Sequence, residues 1–312
     1  MKDKFGREID YLRVSITTRC NLNCIYCGKA DCEKKEQELP AETICAIVRD
    51  FAACGIKKVR VTGGEPLVRA DVCDIVRGIR AIPEIETIGL TTNGVLLEQY
   101  AQPLFDAGLD SVNVSLDSTD GSTYRHLTGA DVLDKVLRGI KAAQSAGLSP
   151  IRLNAVLMKG VNDDGAKDLI VLAKDSPIDV RFIELMPFSG VGEDNDRRVT
   201  GDEILRQFPF LRPLDTQEAA TARYYTADGF QGRIGLISPV SHQFCDQCRR
   251  VRLLSDGSVK PCLAFDDSYD LTTYENDPAA RQARIREIIF QKPAGHNFGG
   301  DKTTHGLNRT GG

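Results

Sequence analysis

Three hundred and twelve residues exceed one ordinary domain, so the chain is predicted to form an α/β barrel of about 200 to 250 residues, alone or with a smaller companion. With 41% hydrophobic and 27% charged residues, and no apolar run near the roughly 18 residues that cross a bilayer, the composition excludes a membrane span. The charged start Met1-Lys2-Asp3-Lys4, without the apolar stretch of a signal peptide, predicts residence in the cytoplasm; a net charge of -4 argues against a polycation that coats nucleic acid.

From residue 10 to about 186, short β-branched runs alternate with helical stretches, the pattern of βα units around a parallel sheet. The predicted strands are Tyr11–Ile16, Lys58–Thr62, Thr87–Thr91, Ser111–Leu116, Arg152–Leu157 and Asp179–Glu184. The clearest helix runs from Ala41 to Ala53, with Ile44, Ile47, Val48 and Phe51 at helical spacing and Gly55 placed to stop it. Six units of this kind predict a partial (β/α)6 TIM-type barrel over residues 1–188. The period then fails, and a Gly-rich polar stretch, Ser189 to Asp196, predicts a boundary to a smaller C-terminal unit over residues 189–312.

Ten cysteines are many for a reducing compartment, where repeated spacings point to metal or catalysis rather than disulfides. Six fall in two groups, Cys20-x3-Cys24-x2-Cys27 and Cys245-x2-Cys248-x13-Cys262. Three thiolates on one loop leave a metal with an open position, so the first group fits an iron–sulfur cluster better than a closed zinc site. Cys32 is a conceivable fourth ligand, although the spacing is complete without it. The second group reads equally well as a zinc knuckle completed by Cys262 and His242. The first strand leads into the first group and the second into Gly63-Gly64-Glu65-Pro66, where glycines allow close backbone approach. In such folds chemistry collects at the C-terminal ends of strands.

The first triad, with Tyr26 before its last cysteine and Gly63-Gly64-Glu65-Pro66 after the next strand, resembles the motif pair of the radical S-adenosylmethionine superfamily. The segment from Phe244 to Gly257 is similar to the C-terminal cluster segment of the GTP 3',8-cyclases of molybdenum cofactor biosynthesis, the MoaA family. Tyr11 to Cys20, Arg60 to Leu67, Gly89 to Gly94, Arg181 to Pro187 and the terminal Gly311-Gly312 carry the same resemblance. Three places depart from it: Gly28-Lys29 follows Cys27, Arg249 follows the second cysteine pair, and Leu307-Asn308-Arg309-Thr310 before the terminal glycines match loosely.

The resemblance implies a lyase of the radical type that binds two 4Fe-4S clusters and S-adenosyl-L-methionine and converts GTP to (8S)-3',8-cyclo-7,8-dihydroguanosine 5'-triphosphate. It implies that Cys20, Cys24 and Cys27 hold one cluster and Cys245, Cys248 and Cys262 the other. Tyr26, Gly64, Ser115 and Met186 then match positions that touch S-adenosylmethionine. Arg13, Arg60, Thr91, Lys159, Arg250 and Arg252 match GTP contacts, and Arg250, Arg252, Gly311 and Gly312 take part in catalysis. The implied partners are a reducing electron donor and, functionally, the downstream cyclic pyranopterin monophosphate synthase; a homodimer is compatible, and neither nucleic acid nor membrane is expected. From the residues themselves, arginine forks suit phosphate oxygens, and a strand sets Arg250 and Arg252, two apart, on one face.

Overall fold

A computed structural model describes residues 1–27, 38–187, 195–215, 221–296, 298 and 310. The six predicted strands form as β1 (Tyr11–Ser15), β2 (Lys58–Thr62), β3 (Thr87–Thr92), β4 (Ser111–Ser115), β5 (Ile151–Leu157) and β6 (Asp179–Glu184). Each pairs in parallel with the next. Between them run α1 (Ala41–Ala53), α2 (Val72–Arg80), α3 (Leu97–Asp106), α4 (Gly121–Thr128), α5 (Leu133–Ser145) and α6 (Ala166–Asp175). Helix α1 has its predicted span: Ile44, Ile47, Val48 and Phe51 are buried, and Gly55 turns the chain at φ +100°, where a side chain would be strained.

The remaining elements are α7 (Gly201–Gln207), β7 (Arg212–Pro213), β8 (Arg223–Thr226), β9 (Ile234–Ile237), β10 (Arg250–Leu253), β11 (Ser258–Lys260), β12 (Tyr269–Asp270) and α8 (Pro278–Phe290). Helix α8 is not among the predicted elements; its signal is local, Asp277 capping the amide of Ala280 with Pro278 in the first turn. The boundary expected at residues 188 and 189 falls outside the described residues. Strand β9 adds to β6 and β10 adds to β1, both in parallel, so the run β10-β1-β2-β3-β4-β5-β6-β9 is parallel throughout. Antiparallel pairs continue each edge, and among the described strands β9 and β10 do not pair with each other. The α/β barrel is therefore open on that side. Among the described residues no helix is long and apolar enough to cross a membrane.

Alternation along the strands divides the sheet into two faces. Leu12, Val14, Val59, Val61, Ile88, Leu90, Val112, Val114, Leu153 and Val180 are buried in the hydrophobic core. The intervening residues, Tyr11, Arg13, Arg60, Gly89, Thr91, Asn113, Arg152, Asn154 and Arg181, form the opposite, inner face. That face is polar, unlike the packed aliphatic interior of a closed barrel.

Candidate functional site

The two cysteine triads stand at opposite ends of the parallel strands. Cys20, Cys24 and Cys27 follow the C-terminal end of β1. Cys245 and Cys248 precede β10, and Cys262 follows β11, which is antiparallel to β10. Because β10 runs parallel to β1, the second triad lies at the N-terminal end of the sheet, separated from the first by roughly the 17 Å of a five-residue strand.

The first triad is half-buried. The Cys27 amide donates to the Cys24 carbonyl (3.1 Å), the Leu22 amide to Cys20 Sγ (3.5 Å), and Asn93 Nδ2 reaches both Cys20 Sγ (3.9 Å) and Asn21 Oδ1 (2.7 Å). Burial pushes the Cys24 thiol far up, and Asp117, Cys27 and Cys20 push it further. The Gly-Gly turn is packed on this loop's own backbone. The Gly64 amide donates to the Thr17 carbonyl (2.8 Å) and the Glu65 amide to the Arg19 carbonyl (2.8 Å). A Cβ on Gly64 would lie 2.3 Å from the Arg19 oxygen. The buried Glu65 carboxylate accepts from the amides of Leu67 and Asn93 and the hydroxyl of Thr92. Burial against those bonds leaves it at about 7. Tyr26 donates to Asp117 Oδ2 (2.6 Å), whose other oxygen accepts the Val156 amide; burial raises Asp117 to about 6.

The second triad sits among cations. Burial would raise Cys248, but Arg250 and Lys292 outweigh it and bring the thiol to about 6. Lys292 is itself buried and donates to the carbonyl of Pro261, the residue before Cys262. His242, the candidate fourth zinc ligand, instead faces Asp202 at 3.3 Å. Among the described residues no three Cys, His, Asp or Glu side chains converge on a single metal ion. Each motif therefore offers three thiols as candidate ligands, and His242 is not aimed at the second of them.

Between the triads the inner face carries a row of cations. The strand register places Lys260 beside Arg252, Arg252 beside Arg13, and Arg13 beside Arg60. Like charges on adjacent strands, about 4.8 Å apart, repel. The hydrogen-bond acceptors of Arg60 (Tyr11 hydroxyl, 2.7 Å; Leu90 carbonyl, 3.0 Å), of Arg252 (Thr310 carbonyl, 3.2 Å) and of Arg181 (Asn154 Oδ1, 2.9 Å) are all neutral. Burial lowers Arg13 to about 10, with Arg60, Arg250 and Arg181 lowering it further against the opposing pull of Tyr11. Glycines leave room for this row: a Cβ on Gly89 would meet the Arg60 guanidinium at 2.6 Å, and one on Gly235 would meet Arg181 at 2.8 Å. Such a lumen suits a polyanion of matching length.

A Radical SAM superfamily model matches residues 14–173, and a Molybdenum Cofactor Synthesis C model matches residues 178–298. The GTP 3',8-cyclase of Alkaliphilus oremlandii (strain OhILAs) is 43% identical over 320 residues, covering 100% of both chains. That of Alkaliphilus metalliredigens (strain QYMF) is 45% identical over 95% of this chain and 94% of its own. The chain belongs to the GTP 3',8-cyclase family. Among solved structures, Streptococcus suis SuiB has a TM-score of 0.61 at 17% identity, covering 92% of this chain and 67% of that one. Native anSMEcpe with bound AdoMet also has a TM-score of 0.61 at 17% identity, covering 92% and 82%. At these identities the likeness is one of fold.

The positions carried over from the cyclase family are distributed as follows. Arg13, Arg60 and Thr91 lie on the inner face, and the Thr91 hydroxyl is buried with no hydrogen-bond partner. Arg250 stacks over Phe244 at 5.2 Å, and Arg252 is buried. Ser115 and Met186 are half-buried at the ends of β4 and β6, on the rim that bears Tyr26 and Gly64. Lys159 stands apart: it lies on the rim after β5, 60% exposed, with its ammonium 3.7 Å from Glu203. Cys32, Gly311 and Gly312 lie outside the described residues. Thr310, next to that terminal pair, is buried against Arg252. Sequence reasoning missed Asn93, Asp117, Lys260 and Lys292. Asn93 follows β3 directly and Asp117 lies two residues beyond β4, a signal that was legible; the two lysines gain their place only by strand pairing and burial.

Proposed function

We infer that this chain is the radical S-adenosylmethionine enzyme of molybdenum cofactor biosynthesis that converts GTP to (8S)-3',8-cyclo-7,8-dihydroguanosine 5'-triphosphate. The observation that carries this reading is the in-register row of cations lying between two three-thiol sites. In this reading Cys20, Cys24 and Cys27 hold one 4Fe-4S cluster, and Cys245, Cys248 and Cys262 the other. When bound and reduced, the first cluster with S-adenosylmethionine supplies hydrogen-atom abstraction from the substrate ribose.

The protein's own groups bind and orient. Arg13, Arg60, Arg250, Arg252 and Lys260 draw the triphosphate into the lumen, and its charge relieves their mutual repulsion. The Thr91 hydroxyl offers a further contact, and Lys159 reaches inward only after leaving Glu203. Tyr26, Gly64, Ser115 and Met186 line the S-adenosylmethionine side, with Asp117 fixing Tyr26. Residues 1–188 carry the first triad; residues 189–312 carry the second and lend β9 and β10 to the barrel edges, with Thr310 held against Arg252. A low-potential electron donor reduces the first cluster, and the product passes to cyclic pyranopterin monophosphate synthase. A reducing cytoplasm suits the six thiols. Incubation of the anaerobically reconstituted chain with GTP, S-adenosylmethionine and dithionite tests the assignment; absence of the cyclic nucleotide with both clusters present would overturn it.

Two smaller effects follow from the lumen. Gly89→Ala should displace the Arg60 guanidinium, a flexible group, so melting stays near wild type while GTP affinity falls by about 1 to 2 kcal/mol. Calorimetry reads both. Tyr11 is pushed up by burial but pulled down more strongly by Arg60, Arg13 and Arg250, to about 8. Its phenol is neutral below that pH, and above it a phenolate competes with the triphosphate for the same arginines. GTP affinity should therefore fall as pH rises from 7 to 9, and Tyr11→Phe should flatten the profile.

A further inference from the structure

The first ten residues precede the barrel and belong to neither cysteine motif, yet they contact the second triad. They fold into a hairpin: Lys2 bridges Glu8, the Asp3 amide donates to the Arg7 carbonyl (3.1 Å), and Gly6 turns at φ +82° with open space around it. The hairpin presents Arg7, which is buried and gripped by Asp3. Asp3 Oδ1 accepts the Arg7 amide (2.9 Å), and Oδ2 accepts Arg7 Nε (2.6 Å). The fixed guanidinium then donates to three carbonyls, Cys245 (2.7 Å) and Ala294 (2.7 Å) from Nη1 and Pro293 (2.6 Å) from Nη2, the first of which also accepts the Cys248 amide (3.3 Å).

These acceptors come from two segments far apart in sequence. One carries Cys245. The other continues to Gly295, where a Cβ would lie 3.7 Å from Cys245 Sγ, and begins at Lys292, which holds the Pro261 carbonyl beside Cys262. A second contact from the same N-terminal stretch reaches the triad's other side: Asp10 accepts from Arg249, the residue after Cys248, and the Tyr11 amide donates to the Arg249 carbonyl (3.2 Å).

We propose that Arg7, fixed by Asp3, is a positioning residue for the second cluster: it ties the Cys245 loop to residues 293–294 so that the three thiols are held at cluster spacing. The N-terminal hairpin is then part of the second metal site although it supplies no ligand. A planar fork reaching three carbonyls at once is a task that lysine performs only in part, and groups that orient metal ligands govern metal retention.

The proposal rests on the reading that Cys245, Cys248 and Cys262 hold a cluster, and the test separates the two. Full-length wild type, Arg7→Met, Arg7→Lys and Asp3→Asn are reconstituted anaerobically, and iron and sulfide are counted. Electron paramagnetic resonance spectra of the reduced clusters are recorded, and S-adenosylmethionine cleavage is measured. Expected are about eight irons in wild type and about four in Arg7→Met. In that variant the second cluster's signal should be lost, with cleavage retained. Arg7→Lys and Asp3→Asn should fall between, with a shifted signal. Eight irons and unchanged spectra in Arg7→Met would overturn the positioning role. Loss of both clusters together would also overturn it, since the hairpin would then serve the whole fold. Four irons in wild type would instead overturn the two-cluster reading.

Discussion

Gly64→Ala is expected to reduce S-adenosylmethionine cleavage by about a hundredfold or more while leaving the barrel folded. The added methyl would lie 2.3 Å from the Arg19 oxygen, 2.6 Å from the Thr18 oxygen and 2.8 Å from the Arg19 carbonyl carbon. All three are backbone atoms, so no rotamer change relieves the clash. Either the turn after β2 or the loop entering Cys20 must move by on the order of 1 Å, the scale at which misplacement costs about a hundredfold in rate. The same move stretches the Gly64–Thr17 and Glu65–Arg19 hydrogen bonds, for an overpacking cost of about 1 to 3 kcal/mol, within what a domain tolerates. Gly165→Ala, where nothing lies within 4 Å, is the control expected to be silent. Iron counts, cleavage assays and melting curves decide it; wild-type cleavage by the Gly64→Ala enzyme would mean that the turn does not set the Cys20 loop.

Arg252→Met is expected to separate stability from function. Arg252 is flanked in register by Arg13 and Lys260, and its guanidinium is held well below the usual range by burial and then by Arg13 and Arg250. Removing it relieves repulsion between buried cations, so the melting temperature of the free protein should hold or rise, as when a buried charge gives way to an apolar group of similar volume. GTP should stabilise the variant far less than wild type, because binding energy appears directly as stabilisation. Loss of one charge-assisted contact, about 1.5 to 3 kcal/mol, lowers cyclisation roughly ten- to a hundredfold. The contact to the Thr310 carbonyl goes with it. S-adenosylmethionine cleavage should persist. A lowered melting temperature with unchanged GTP stabilisation would assign Arg252 to the fold alone.

The sequence by itself determined the βα repeat and the grouping of six cysteines into two spaced triads. Strand and helix periods are local, and so β2, β6 and α1 fall on their predicted residues and the other four strands within one residue at an end. The cysteine spacings and the Gly-Gly-Glu-Pro turn are local too. What the tertiary structure decided involves pairing across more than a hundred residues, which no local period encodes. Only the pairing of β10 with β1 sets the second triad at the opposite end of the sheet and aligns Lys260, Arg252, Arg13 and Arg60 into one row. Only packing shows that Gly64 is small for the sake of the cysteine loop's backbone, that Lys159 points to Glu203 on the rim, and that Arg7 reaches Cys245 across 238 positions. A side chain's chemistry is written in the sequence, but its neighbours are fixed by which strand edge each C-terminal strand joins.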